Sequence, residues 1–410
     1  MKAAKAVYAL ELLVRDKLLT LFVLISAGYY VVTYVTYYAR RSWLFWWDQS
    51  WYYKMSDNLL NLSLEKENFS DYGIGYPVLS IPFAEIMPND RFLVPDLLMF
   101  VMLVYVVYSL SSRLCGSRRW GVLSVFLFVF LPQSTAAYVK FAVEPWRNHV
   151  FAFVISFMAY SIFGRITSVR RVCVGLLAGW MYMTSFLDIL FVIPLLVGSL
   201  LVPSGFSFRD LLNRLFTTLL PLGFMISLTL VFNELVLGDA FYIPYMVQMS
   251  PRELLEMEGL STATTALPGL EIFTFDPTVL VRRIYSLAID PMYYYRYLTS
   301  KPNYEPFMVL GRDYMYGALY DKTPIIASDT FYLALSPIGM VYLLFRRDRR
   351  LQALCLLASI LITLGAYTST IHWYSGWARF FRYHQVLFPL LTIFSVVSIW
   401  LCVNTAKRWI

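Results

Sequence analysis

Charge is scarce in this chain: Asp, Glu, Lys and Arg make up only 15% of its 410 residues, against 59% hydrophobic and 18% aromatic. No soluble core of that length buries so much apolar surface, so a soluble enzyme is excluded and an integral membrane protein is expected. Cysteine is scarce as well. Cys115, Cys173, Cys355 and Cys402 match no CxxC or zinc spacing, and each falls near the expected cytoplasmic end of an apolar run, so reduced thiols and no disulfide are expected. Of the three histidines, His372 and His384 stand closest together, but nothing near them completes the three or four ligands of a zinc site. There is no P-loop and no GxGxxG, hence no nucleotide-binding signature. The net charge of +8 is no nucleic-acid footprint, because the 34 Lys and Arg are split among short loops and form no basic stripe. No small-residue cleavage site follows the first apolar run, which is therefore expected to stay as a helix.

Long apolar runs are what the chain has in abundance. About 20 apolar residues span a bilayer, and candidate segments lie near 18–39, 92–112, 120–139, 147–163, 173–186, 187–202, 215–236, 326–345, 351–370 and 385–403. The expected fold is therefore an all-α polytopic membrane protein of about ten transmembrane helices. The fifth and sixth share about 30 residues, each short or tilted, and are separated by a polar break at Thr184, Ser185 and Asp188.

Ten crossings from a cytoplasmic N-terminus place Arg113, Arg118 and Arg119, then Arg165, Arg170 and Arg171, then Arg209 and Arg214, then "FRRDRR" (Arg346 to Arg350), and finally Lys407 and Arg408 inside. Removing one helix of the short pair would invert every later loop. Both termini are then cytoplasmic. Of the 26 acidic residues only Glu11, Asp16, Asp210 and Asp348 fall clearly inside, so any chemistry belongs to the outer face. Two outer segments are long: 40–91, and 238–325 before the eighth helix. They divide the chain into a transmembrane part at 1–237, an extracytoplasmic segment at 238–325, where short surface helices are expected, and C-terminal helices at 326–410.

The first outer loop opens with "SWLFWWDQSWYY", residues 42–53. Trp43, Trp47, Trp51, Met55, Leu59 and Leu62 recur at helical spacing, so an amphipathic helix would lay that stripe on the membrane surface, with Asp48 about 100° away from it. Two readings stand for Asp48: a cap for that helix among interfacial aromatics, or a catalytic carboxylate. Further on, "DYGIGYPVLSIP" forces a shaped turn whose Tyr72 and Tyr76 suit a sugar site, since a ring face stacks on sugar C–H groups while the hydroxyl hydrogen-bonds. In the short second outer loop Glu144 precedes Pro145 at a helix start, where it is either a dipole partner or a second site carboxylate. The last outer loop places Arg379 and Arg382 outside, against the charge rule, and an arginine fork suits phosphate. Asn61 and Asn68 each begin an N-x-S sequon in the first outer loop.

In order and in topology these landmarks resemble the GT-C class of membrane glycosyltransferases, in particular the protein O-mannosyltransferase and lipid A aminoarabinose transferase family. The residues that carry the likeness are Asp48, "YGIGYPVL" (Tyr72 to Leu79), Glu144 with Pro145, "GLLAGWMYMTS" (Gly175 to Ser185) and "RYHQVLFP" (Arg382 to Pro389). Protein mannosyltransferases carry Asp-Glu in the first loop, whereas Gln49 follows Asp48 here, and 238–325 matches nothing in the family. The resemblance implies transfer of a sugar from a polyprenyl phosphate, of the dolichyl type, to an acceptor hydroxyl outside the cytoplasm. It makes Asp48 the general base, Glu144 an orienting group, and Arg382 and Arg379 the partners of the leaving phosphate. Tyr72, Tyr76, Trp47 and His384 are then candidate sugar or acceptor contacts. No cofactor is required, although a divalent cation, Mg or Mn, would be compatible. The implied partners are the lipid-linked sugar, a protein, lipid or glycan acceptor, and membrane lipids, with no nucleic acid. The implied location is the plasma membrane, or the endoplasmic reticulum in a eukaryote. The alternatives are a polytopic transporter or flippase, and an assembly protein that binds through 238–325.

Overall fold

The computed structural model describes residues 16–38, 47–69, 72–130, 142–143, 145, 147–164, 166–186, 188–202, 207–242, 277–278, 281, 334–369 and 386–407. Among them every regular element is helical. The helices are α1 (Lys17–Tyr38), α2 (Trp47–Leu60), α3 (Leu93–Cys115), α4 (Arg118–Val125, continued by a π turn at Phe126–Phe130), α5 (Asn148–Ile162), α6 (Ser168–Thr184), α7 (Ile189–Leu201), α8 (Phe208–Leu237), α9 (Ser336–Phe345), α10 (Arg350–Ser369) and α11 (Phe388–Ala406). Each apolar segment expected from the sequence carries a helix over all or part of its length. Four helical stretches are long and apolar enough to cross a membrane: Lys17–Thr36, Leu93–Cys115, Phe208–Leu237 and Phe388–Ala406. Four shorter apolar stretches accompany them: Asn148–Ile162, Ile189–Leu201, Ser336–Phe345 and Arg350–Ala366. This is the make-up of an all-helical membrane protein.

The fifth apolar segment begins earlier than its hydropathy indicates. Thr167 caps α6, its hydroxyl accepting from Arg170 N at 3.3 Å, so the helix starts at Ser168 and takes in the basic residues ahead of the apolar run. α8 similarly starts at Phe208 and runs for 30 residues, about 45 Å of helix.

Position in the bundle follows apolar coverage. α5 is buried at every residue except Phe153 and Phe157, as a helix apolar on all sides must be. α11 is buried from Phe388 to Ser398 at every residue except Leu391. By contrast α1 exposes Leu24, Val32 and Val35, and α8 exposes Leu220, Phe224 and Leu235. Water penalises such surface and lipid does not.

Basic side chains of loops distant in sequence gather at one end of the bundle. Arg113 Nη1 donates to Tyr160 O at 3.4 Å, Arg170 lies 5.2 Å from the Tyr160 ring, and Arg349 Nη1 donates to Phe163 O at 2.8 Å. Two of these arginines thereby satisfy carbonyls at the C-terminal end of α5, where a helix dipole favours cations. At the same end Asp16, just before α1, accepts from Tyr108 at 3.0 Å and pairs with Arg118 at 3.4 Å.

Candidate functional site

The opposite end of the bundle is built on the first long loop. α2 runs from Trp47 to Leu60, which puts Asp48 in its first turn, where the unpaired N–H groups of a helix favour a carboxylate. Trp47 and Asp48 are described here by their backbone alone. Of the apolar stripe expected to lie on the membrane, Met55 is fully buried, Trp51 and Leu59 are half-buried against the core, and Leu62, past the helix end with a left-handed φ of 54°, is 77% exposed. Tyr52 and Ser56 are buried on the same helix, with Tyr52 edge-on to Tyr72 and Tyr76 at 5.3 and 5.0 Å and Ser56 hydrogen-bonded to Ser80 at 2.7 Å. α2 thus rests on the "YGIGYPVLS" turn. Gln49, the neighbour of Asp48, is 5% exposed. A neutral amide is far cheaper to bury than a second carboxylate.

The α2 layer is tied down at both edges. Arg91, 6% exposed, donates to Asp57 at 2.5 Å and to Pro88 O at 2.9 Å while its guanidinium lies 5.0 Å from the Tyr53 ring. Tyr34 of α1 donates to Asp90 at 2.7 Å.

The turn itself docks on the break between α6 and α7. Gly75 N donates to Met183 O at 3.0 Å, and Trp180 Nε1 donates to Gly75 O at 2.8 Å. Both glycines are required by space alone: a Cβ on Gly73 would lie 2.5 Å from Met183 O and Thr184 O, and one on Gly75 would strike Thr184 Oγ1. The polar residues that interrupt the apolar run are therefore the seat of the turn.

Between the turn, the end of α6 and α8 opens a small cleft. Phe69, Ile74, Met183, Phe186, Phe232 and Leu237 make its apolar wall, and Tyr72, Tyr182, Ser185, Thr229 and Asn233 contribute polar groups. Its outer rim is held by Asn233, whose amide donates to Tyr242 O at 3.0 Å and Ala240 O at 3.3 Å, and by Glu234, whose carboxylate accepts from Ala240 N at 2.9 Å. Phe69 closes from above, edge-on to Phe232 at 5.3 Å.

Of the expected sugar contacts, Tyr72 lines this cleft. Tyr76 points inward with no face left open: it is wholly buried, stacks on Phe92 at 4.7 Å, and donates to both oxygens of Asp96 at 2.9 and 3.1 Å. Burial first, and the Asp96 carboxylate second, hold the Tyr76 hydroxyl well above the ordinary tyrosine range. Glu144, Arg379, Arg382 and His384 lie outside the described residues, as does nearly all of 243–333. The short helices expected in that segment share this position, except at 277–278 and 281, which are helical. Among the described residues no three His, Cys, Asp or Glu side chains come together as a metal-binding group.

Two elements of the site escaped the sequence reading. Asp96 is a lone carboxylate inside an apolar run, a pattern that by itself demands a buried partner, and only the fold names Tyr76. Thr229, Phe232 and Asn233 share one face of α8 at spacings of three and four, a polar trace within an apolar helix that marks a lined cleft.

No family model matches the chain, and no similar protein was found among curated proteins or solved structures.

Proposed function

We propose that this protein is a polyprenyl-phosphate-sugar-dependent glycosyltransferase of the GT-C kind, hexosyl- or mannosyl-transferring and inverting. The observation that carries the reading is the convergence of three segments named by the resemblance. The helix bearing Asp48 packs on the "YGIGYPVL" turn, and that turn is hydrogen-bonded through Gly75 to Met183 and Trp180 of the "GLLAGWMYMTS" helix. Segments more than a hundred residues apart thus share one end of the bundle, beside a cleft with an apolar wall and tyrosine hydroxyls.

In this reading the chain crosses the membrane ten times with both termini in the cytoplasm. The α2 layer then faces outward, at the plasma membrane or, in a eukaryote, toward the lumen of the endoplasmic reticulum. The lipid-linked sugar lies at this end of the bundle with its ring against Tyr72. The acceptor oxygen bonds to the anomeric carbon as the bond from that carbon to the phosphate oxygen breaks, and polyprenyl phosphate leaves with the electron pair. Asp48 takes the acceptor proton as general base. Glu144 orients the acceptor or sugar, and Arg379 and Arg382 stabilise the departing phosphate.

The test is donor consumption by the purified protein, with polyprenyl-phosphate-hexose supplied in detergent or liposomes. The parent consumes donor, and Asp48→Asn loses at least about a hundredfold in rate, the usual worth of a general base. Equal turnover by the mutant removes Asp48 as the base. Movement of intact donor across liposomes without its consumption would identify a flippase instead.

A further inference from the structure

The cleft is roofed by the stretch from Leu62 to Phe69, which leads from α2 toward the "YGIGYPVL" turn. Phe69 is 1% exposed, lines the cleft and meets Phe232 of α8 edge-on at 5.3 Å. Lys66 reaches the rim, its ammonium 5.6 Å from the centre of the Tyr242 ring. What these two side chains grip is fixed in place: Phe232 belongs to α8, and Tyr242 O is held by the Asn233 amide.

The stretch is otherwise bonded to itself and to the end of α2. Ser63 N donates to Asn58 O at 2.9 Å, Asn68 N to Glu65 O at 3.0 Å, Phe69 N to Lys66 O at 3.1 Å, and the Asn68 amide to Ser63 O at 3.4 Å. Among the described residues none of its hydrogen bonds crosses to α6, α8 or the turn. Leu64, Glu65, Lys66 and Glu67 are exposed. A unit that carries its own bonds and is joined to its neighbours by side chains alone opens without breaking a backbone ladder, which places it among the easily released parts of a fold.

Its backbone anchor is strained. Leu62 N donates to Leu59 O at 3.3 Å beside the bond from Ser63 to Asn58, the paired bonds of a Schellman turn, and these hold Leu62 at a left-handed φ of 54°. Glycine is usual at that position, because a Cβ there crowds the backbone. Among the described residues Leu62 alone carries a positive φ without being glycine.

We infer that residues 62–69 form a strap that gates the cleft, hinged at Leu62, with Phe69 as the plug and Lys66 on Tyr242 as the catch. Strain at Leu62 favours release, and burial of Phe69 favours closure. Release lets Leu62 return to an ordinary φ and uncovers Phe232 together with Thr229 and Asn233. The gate serves any ligand of the cleft, so it stands apart from the sugar-transfer reading, and a thiol reagent tests it without a donor.

The experiment is alkylation of a cysteine placed in the cleft of the full chain in detergent. Thr229 lines the cleft, is 7% exposed, and donates to Met225 O of its own helix at 3.1 Å, so Thr229→Cys is a small change. N-ethylmaleimide is added and each thiol is followed by peptide mass spectrometry, with exposed Cys402 and buried Cys355 as the fast and slow references. The introduced thiol is expected to react well below the Cys402 rate. Adding Lys66→Ala, which frees the catch and leaves the cleft wall intact, is expected to speed it about threefold. Phe69→Ala, which removes the plug, is expected to speed it at least about tenfold. Leu62→Asn, a residue that tolerates a left-handed φ, steadies the closed strap and is expected to slow it about threefold. Cys355 keeps its parental rate throughout. Should Phe69→Ala fail to fold, Lys66→Ala and Leu62→Asn, both at exposed positions, carry the test through their opposite signs. The inference is overturned if the introduced thiol already matches Cys402 in the parent, if those two variants leave its rate unchanged or shift it the same way, or if Cys355 accelerates in parallel, which is loosening of the whole fold.

Discussion

The closest fit in the candidate site is Gly75 against Thr184, and it yields a quantitative expectation. Gly75→Ala adds one methyl group where Thr184 Oγ1 is already in the way, with Thr184 N 2.7 Å and Met183 C 2.9 Å from the new carbon. Two of these three atoms are backbone held within α6, so the loop has to move. Movement breaks the hydrogen bonds to Met183 O and from Trp180 Nε1, together worth about 1–3 kcal/mol. Forcing a methyl group into a filled site costs about 1–3 kcal/mol more where the bonds are kept instead. Either way the docked loop loses about 2 kcal/mol, the middle of both ranges, which is about thirtyfold in its opening equilibrium. Amide hydrogen exchange in detergent, followed on peptides covering 72–83, reads that change directly. Trp180→Phe removes a single hydrogen bond, about 1 kcal/mol, and is expected to speed exchange only about fivefold. Parental exchange rates in Gly75→Ala would refute the docking argument, and so would equal effects of the two variants.

Tyr76→Phe leaves the buried Asp96 without the hydrogen bond that its two oxygens share and is expected to cost about 1–3 kcal/mol in thermal or denaturant unfolding, while Asp96→Asn, which keeps an acceptor, costs less. Because the Tyr76 hydroxyl is held above its ordinary value of 10.0, the folded state keeps that proton after the unfolded chain has released it. Its contribution is complete below about pH 10 and lost as pH climbs toward the folded value, so the gap between parent and Tyr76→Phe narrows above about pH 10. The outward placement of the α2 layer has a separate check through its two sequons. Asn61 is exposed, whereas Asn68 is 9% exposed with its amide donating to Ser63 O at 3.4 Å. In a glycosylating eukaryotic host a single mobility shift is expected, abolished by Asn61→Gln and unchanged by Asn68→Gln; a chain never modified at Asn61 would count against that placement.

Helix positions were legible because an apolar run is a property of consecutive residues, and ten such runs stand out against the polar loops between them. Helix starts were less so: α6 and α8 extend into polar sequence, since a cap and a basic first turn do not register as hydropathy. The "YGIGYPVL" turn was recognisable as a turn, but its two glycines gave no hint of the partner that requires them. That partner is the end of α6, more than a hundred residues away, and the reason is the space between Gly75 and Thr184. The Trp and Met stripe of α2 was visible as periodicity, yet periodicity does not say what a face meets. Here Met55 meets protein, as Tyr52 and Ser56 do on the turn beneath.

By itself the sequence determined that this is a helical membrane protein, where its helices lie, and which loops carry the arginines, because each of these is local and additive along the chain. Only the tertiary structure decided what the scattered polar residues are for. Tyr76 is committed to Asp96 while Tyr72 lines the cleft, and Gly175 and Gly179 bring α6 against the backbone and side chains of α8. Those outcomes depend on how closely two helices approach and on which buried groups find a partner, and neither is written in any single segment.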